Sequence, residues 1–246
     1  MGSILITGAS SGLGDGLARH MAARGYDQAL AARSEDKLEA LRSELLAKHP
    51  ERRIEIRRLD VTDYDQVPVV LKDLQQAMGG LDIICVNAGI GSGAALGSGQ
   101  FEHDRRCMET NVIGAMATID AAAALFREQG HGHIVTIASV AAFRGMPTAA
   151  AYCASKAAVS TLMEGLRAEL VGTNIRTTTL YPGYIDTPIN NHMPNRPFLV
   201  DAEKGTRIMA DLIEKQVVKS TVPVWPWNLV GRLLRILPVS MLAKMS

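Results

Sequence analysis

The chain has 246 residues, is 47% hydrophobic and carries a formal net charge of +1, which is enough apolar material for one α/β domain spanning 1–246. Acids and bases are interspersed, so there is no basic stripe to follow a nucleic-acid backbone, and that class of partner is excluded. No apolar run reaches the ~18 residues of a membrane-spanning helix.

The first apolar strand, "ILIT" at 4–7, begins almost at once, leaving no room for a signal segment, and residue 6 is not the Ser or Thr of an acylation motif. It runs into "TGASSGLGDG", where Gly8, Gly12 and Gly14 are spaced G-x-x-x-G-x-G. A glycine turn between the first strand and a helix lets the backbone approach a pyrophosphate held at the helix N-terminus. The spacing departs from G-x-G-x-x-G, and a glycine turn taken alone need bind nothing. The second strand, "QALAA" at 28–32, continues into "RSEDK". An NAD site wants a carboxylate near this strand's end, and a 2′-phosphate wants a cation. Ala32 stands where the acid is expected, and Arg33 and Ser34 follow, which favours NADP(H) and leaves NAD(H) as the second candidate. Ser34 is placed to cap a helix whose Leu38, Leu41 and Leu45 share one face.

Further strands are predicted at 53–59, 83–87, 133–139, 175–181 and 221–225, seven in all, alternating with helical stretches. That alternation implies right-handed βαβ units and a parallel sheet covered on both faces. Cys85 lies in the apolar fourth strand. With Cys107 and Cys153 it makes an odd count without metal-ligand spacing, so reduced thiols, a cytoplasmic protein and no metal are expected. Asn111 in "METNVIGAM" interrupts a helical pattern and is placed to hold a water behind a lysine. The small-residue face "GAMATIDAAAAL" suits close helix packing across a homodimer or homotetramer.

Ser139 closes the fifth strand at the carboxyl edge, where a dinucleotide lies in such sheets and where its hydroxyl can bond a carbonyl. Tyr152 and Lys156 are four apart on a helix and face the same way. An ammonium held there is expected to lower the phenol from its usual value near ~10 toward a range where protons exchange. Many helices carry such a pair by chance; Ser139 and Asn111 are what give this one chemical meaning. Residues 186–205 read as a substrate lid, with Met193, Phe198 and Leu199 suggesting a partly hydrophobic small-molecule substrate. His192 on that loop reads as solvated, and Met146 and Pro147 as the opposite wall of the pocket.

The tail from about 221 to 246 is apolar and basic. Leu229, Val230, Leu233, Leu234 and Leu237 form a broad face, and after Glu214 the chain has Lys215, Lys219, Arg232, Arg235 and Lys244 but no acid. Such a segment can make peripheral contact with an anionic membrane or pack within the protein or dimer. The short helical run, ending at Pro238, favours packing.

The chain resembles the short-chain dehydrogenase/reductases of the short single-domain type over nearly its whole length. The matches fall in family order: "TGASSGLG", "LDV" with Asp60, "NAG" at 87–89, Asn111, Ser139, Tyr152-x-x-x-Lys156 and "PGYIDT" at 182–187. The resemblance implies a Rossmann-type doubly wound three-layer fold with a seven-stranded parallel sheet, and Asn111, Ser139, Tyr152 and Lys156 as the catalytic set. It implies cofactor contacts from Thr7, Gly8, Ser10, Ser11, Gly12, Leu13 and Gly14, then Arg33, Asp60 and Val61, with Asp60 near adenine. It adds Asn87, Ala88 and Gly89, Tyr152 and Lys156 again, and Pro182, Gly183, Ile185 and Thr187, the last two holding the nicotinamide carboxamide. Val86 stands where many relatives carry a second asparagine, which weakens a secondary contact. The activity implied is hydride transfer between a nicotinamide and a carbonyl or secondary alcohol. A cofactor-binding scaffold without turnover, or dehydration or epimerisation on the same fold, are the competing readings.

Overall fold

The computed structural model describes residues 2–243, so Lys244 of the basic tail lies outside the described residues. Strand and helix alternate as β1 (Ser3–Thr7), α1 (Gly12–Ala23), β2 (Asp27–Ala32), α2 (Glu35–Lys48), β3 (Ile54–Arg58), α3 (Gln66–Met78) and β4 (Ile83–Val86). Next come α4 (Phe101–Met108), a π-helical segment (Glu109–Gly114), α5 (Ala115–Gln129), β5 (Gly132–Ile137), a 3₁₀ turn (Val140–Phe143) and α6 (Ala150–Glu169). The chain continues through β6 (Ile175–Pro182), α7 (Ala202–Glu214), β7 (Lys219–Val222), α8 (Trp227–Ile236) and α9 (Val239–Leu242). The seven strands form one parallel sheet in the order β3-β2-β1-β4-β5-β6-β7. The order reverses between β1 and β4, and that is where a crevice opens at the carboxyl ends of the strands.

The two-residue period of the strands divides the core into two layers. Leu5, Ile84 and Ile134 point to one face and join Leu71 and Leu74 of α3, Ile119 and Phe126 of α5 and Val159 and Met163 of α6. Ile4, Ile6, Cys85 and Val135 point to the other and meet Leu17 and Met21 of α1, Leu38, Leu41 and Leu45 of α2 and Met209 and Ile213 of α7. With both faces covered, the strands read as continuous apolar runs, as parallel strands should.

Several boundaries differ from the sequence reading. The fifth strand stops at Ile137 and leaves Ser139 two residues beyond it, in extended backbone at the start of the 3₁₀ turn. The last strand is Lys219–Val222 and not 221–225, because the chain continues through Pro223 and Pro226, which have no N–H to donate to a ladder. The loop expected over 186–205 ends at Asp201, whose carboxylate accepts the Lys204 amide at 2.7 Å and caps α7. Ser34 flanks α2, but its side chain makes no capping bond.

The tail packs by one side. Trp227, Gly231 and Leu234 are buried, with the Trp227 indole against Gly183 and the ring of Phe143 against Gly231. Arg144 donates to the Leu237 carbonyl at 3.2 Å. Among the described residues no helix is long and apolar enough to cross a membrane.

Gly132 begins β5 at φ +156, and a Cβ there would lie 2.2 Å from Cγ of Phe126, whose ring is fully buried. Since neither backbone nor ring can retreat, Gly132→Ala is expected to lower the unfolding free energy by about 1–3 kcal/mol, the range for overpacking. Urea titration followed by circular dichroism measures it.

Candidate active site

The turn after β1 is shaped by what its glycines leave out. A Cβ on Gly14 would stand 2.3 Å from the Gly8 carbonyl oxygen, and one on Gly8 would stand 2.8 Å from Cα of Ala88. Gly8 and Gly12 also hold φ values of +69 and +57, which side-chain-bearing residues rarely adopt. The consequence is a loop drawn tightly onto the sheet, with bare backbone facing outward. Ser11 occupies the cap position of α1 without using its hydroxyl as a cap, so the first amides of that helix and the positive end of its dipole face the crevice. Asn87 ties β4 to this loop, its amide donating to the carbonyls of Thr7 at 2.9 Å and Gly8 at 3.3 Å. The Thr7 hydroxyl accepts the amides of Asn87 and Ala88. These side chains therefore build the cradle, and their own polar groups are already engaged.

At the far end of the crevice Asp60 accepts the Thr62 amide at 3.0 Å and its hydroxyl at 2.8 Å. Burial raises the carboxyl, but the two Thr62 bonds and the charges of Arg33 and Arg58 outweigh it, and the net shift is downward. Sequence reasoning missed Arg58. In the β2–β3 ladder it is the register partner of Ala32, so a second guanidinium flanks the position where an acid is missing. Its signal was present in "IRRLD", two residues before Asp60. Arg33 is exposed and forms no salt bridge among the described residues. Val61 is buried in the core, where it packs against Gly114, so its side chain faces away from the crevice. Leu13 likewise packs on the core.

The chemical end is centred on α6. Lys156 is 6% exposed, and its ammonium donates to the Ile137 carbonyl at 3.1 Å. The same group lies 5.8 Å from the centroid of the Tyr152 ring. The Ser139 hydroxyl donates to the Pro182 carbonyl at 3.4 Å and accepts the Ala141 amide at 3.1 Å, and it acts on the Tyr152 phenol in the direction that favours phenolate. Gly89 separates Lys156 from Asn111. A Cβ there would sit 3.1 Å from Asn111 Oδ1 and 3.4 Å from Lys156 Nζ.

Asn111 interrupts the helical pattern because Glu109–Gly114 is π-helical, an extra residue bulged into the turn. The bulge points its amide inward: Oδ1 accepts the Ile90 amide at 2.8 Å, and Nδ2 donates to the Ile90 carbonyl at 2.9 Å and to Ser155 Oγ at 3.1 Å. Ser155 in turn donates to the Tyr152 carbonyl at 2.7 Å. Asn111 is thus a clamp joining the β4 loop to α6, and Ser155 is a member of the set that the sequence reading passed over.

One electrostatic expectation is reversed. Burial pushes the Tyr152 phenol up to about 12, against the opposing influence of the Ser139 hydroxyl. Burial also pulls Lys156 down to about 8. The reason is that both groups leave water together, and desolvation disfavours phenolate and ammonium alike. Burial alone likewise drives the Cys85 thiol up to about 12, and all three cysteines are free and buried.

The segment expected to form a lid is a loop pinned at its neck. Ile185 and Val200 pair in parallel, with the Val200 amide donating to Tyr184 at 3.0 Å and the Asp186 amide to Val200 at 2.9 Å. The Ile185 carbonyl is satisfied by both the Thr187 hydroxyl at 3.1 Å and the Asn190 amide at 2.9 Å. The Thr187 side chain stands beside Gly12, so the loop's base closes over the cradle. Pro182 ends β6, and the next residue, Gly183, donates its amide to Val222 of β7 at 2.9 Å and makes room for the Trp227 indole. Tyr184, Phe198 and Trp227 form an aromatic cluster, with Trp227 centroids 6.0 Å from Tyr184 and 5.7 Å from Phe198. His192 is exposed on the lid. Met146 and Pro147 line a recess of about 410 Å³ shared with Val239 and Leu242, and none of Asn111, Ser139, Tyr152 and Lys156 lines it.

Residues 3–197 match the sequence profile of the short chain dehydrogenase family. An uncharacterized oxidoreductase of Mycobacterium tuberculosis is 44% identical over 236 residues, covering 96% of this chain and 93% of that protein. One from Myxococcus xanthus is 39% identical over 239 residues, covering 95% and 92%. Among solved structures, an alcohol dehydrogenase from Thermococcus sibiricus complexed with 5-hydroxy-NADP superposes with a TM-score of 0.82 at 27% identity, over 90% of this chain and 96% of that one. A short chain dehydrogenase/reductase from Burkholderia phymatum in complex with NAD superposes at 0.83 with 25% identity, over 94% and 92%. With its parallel sheet and glycine cradle, the chain belongs to the short-chain dehydrogenase/reductase family of oxidoreductases.

Proposed function

We propose that this oxidoreductase uses NADP(H) to interconvert a carbonyl and a secondary alcohol, with Tyr152 as the general acid and base. The observation that carries the reading is the convergence of Tyr152, Ser139 and Lys156 at the strand ends beside the glycine cradle, held by the Asn111–Ser155 clamp. The cradle fits a dinucleotide: Gly8 and Gly14 hold the loop tight against the sheet, where a Cβ would collide with backbone, and the first turn of α1 offers amides that Ser11 does not cap. Backbone around Gly8 to Gly14 would hold the pyrophosphate, Asp60 the adenine side and Lys156 the nicotinamide ribose, while Ile185 and Thr187 would hold the carboxamide. When bound, the dinucleotide supplies or accepts the hydride.

The protein handles the proton and the position. Ser139 and Tyr152 receive the substrate oxygen between their hydroxyls, and Tyr152 donates its proton as negative charge develops there. A phenol held near 12 keeps its proton throughout the neutral range, which suits donation in the reductive direction. Lys156 stays cationic up to about pH 8 and stabilises the phenolate left behind. Asn111 and Ser155 fix α6 against the β4 loop so that this spacing holds.

Arg33 and Arg58, with Ala32 in place of an acid, favour a cofactor bearing a 2′-phosphate. The Thermococcus relative, complexed with an NADP derivative, accords with this, whereas the Burkholderia one was solved with NAD. The aromatic cluster of Tyr184, Phe198 and Trp227 suits a partly hydrophobic substrate. The recess of about 640 Å³ between α5 and α6, lined by small Ala123, Ala158 and Gly165, suits the seam of a homodimer. Free buried thiols accord with a reducing cytoplasm.

Tyr152→Phe should cut NADPH-dependent carbonyl reduction about 10²–10⁴-fold, the usual contribution of a positioned acid, with NADPH affinity by fluorescence unchanged within a few-fold. Robust turnover in that variant sinks the assignment, and wild-type protein that binds NADPH yet oxidises none across an aldehyde and ketone panel favours the scaffold reading. Reductive kcat should be flat through neutral pH and fall above about pH 8 as Lys156 loses its charge. In Lys156→Arg the fall should move to higher pH, because a guanidinium does not titrate there. Arg33→Ala and Arg58→Ala should each raise KM for NADPH about tenfold or more, the worth of a charge-assisted bond, leaving NADH kinetics nearly unchanged; equal effects on both cofactors would refute the 2′-phosphate role.

A further inference from the structure

We propose that α8 docks the protein on an anionic lipid bilayer through the face turned away from the fold. At 100° per residue, Trp227, Gly231 and Leu234 fall within one narrow arc, and these are the residues buried against the body. Leu229, Leu233 and Ile236 fall on the opposite arc, and they are 55%, 50% and 77% exposed. Trp225, one turn before Leu229, is 69% exposed, and Val239 and Met241 after the helix are 71% and 51% exposed. A helix apolar on both sides requires something apolar on both sides, and the sheet covers only one. A continuous outward row of large side chains is the kind of surface that monomeric proteins rarely leave to water.

Charge selects the occupant. From Lys215 onward the sequence has no acid. Arg232 sits at the edge of the outward arc, and Arg235, its cation stacked 4.8 Å over the Phe143 ring, sits between the two arcs. A second copy meeting this face through the same surface would bring like charges together. An anionic bilayer answers both features, taking the apolar row at the acyl boundary and the guanidinium groups at the headgroups. The first residue of α8, Trp227, stacks edge-on to Phe198 of the lid, and Phe198 and Leu199 are themselves 52% and 42% exposed. The inference stands apart from the catalytic reading, since none of its residues belongs to the proton-handling set.

The test is co-sedimentation of the whole protein with vesicles of phosphatidylglycerol and phosphatidylcholine, beside vesicles of phosphatidylcholine alone. Partition onto the anionic vesicles should be clear, weaker on the neutral ones and reduced by salt. The triple variant Leu229→Ser, Leu233→Ser, Ile236→Ser should lose it while keeping wild-type circular dichroism. Arg232→Glu changes the local charge by two units and should lower the partition coefficient about 25-fold, at about 5-fold per charge. Of the two tryptophans in the chain, Trp225 is the exposed one; its emission should shift to the blue on vesicle addition, and Trp225→Phe should abolish that shift. Absence of partition, or equal partition by the triple variant, overturns the proposal. So does self-association without lipid that the triple variant removes, which would assign the face to a second copy.

Discussion

An ammonium out of water is the constraint around which the α6 end of the crevice is arranged. Lys156 is almost fully buried, and its hydrogen bond runs to a backbone carbonyl at the end of β5. A charge held with so little polar company is costly, which is why its proton is loosely held. Everything near it keeps that position open. Gly89 has no side chain to intrude, Asn111 stands just behind, and β5 stops so that the Ile137 carbonyl is free to accept. The π-helical segment belongs to the same arrangement, because a regular helix would carry Asn111 round to a different bearing.

The two buried groups are best understood together. Lysine beside tyrosine is commonly read as a device that makes the phenol acidic, yet here desolvation raises Tyr152 and lowers Lys156. Each group is thereby pushed toward its neutral form. A pair in this condition holds its proton on the phenol and gains from any nearby charge that would favour phenolate, so it responds to what binds beside it. The Ser139 hydroxyl already contributes in that direction.

How much of this was legible in the sequence depended on the range of the forces involved. The strands, the split of the core into two faces and the glycine cradle were readable because each rests on local periodicity or backbone space: Ile4 and Ile6 against Leu5, Leu38 with Leu41 and Leu45, and Gly14 under the Gly8 carbonyl. Arg58 and Ser155 escaped notice, since their importance comes from neighbours distant in the chain, Ala32 across a ladder and Asn111 across the π-helical segment. The direction of the Val61 side chain was hidden for a similar reason. It follows the acidic Asp60 in an apparent binding turn, but alternation aims it into the core against Gly114. The strand ends at Ile137 and Val222 were set by long-range pairing and by prolines, and not by where the β-branched run stopped.

Trp227 shows how the periphery is tied to the centre. Its indole fills the space beside Gly183, so that glycine is needed less for its own freedom than for the ring packed on it. The same ring touches Tyr184, which follows Gly183 into the lid, and Phe198 near the lid's far end. Both ends of the loop that covers the crevice therefore rest on one side chain of α8. Any displacement of that helix must alter the aromatic packing at the lid, whatever covers its outer face. The indole nitrogen is buried without a hydrogen-bond partner, a cost accepted where shape complementarity with Gly183 outweighs polarity. Through that ring, the outer surface of the helix and the 186–200 loop share a single mechanical support.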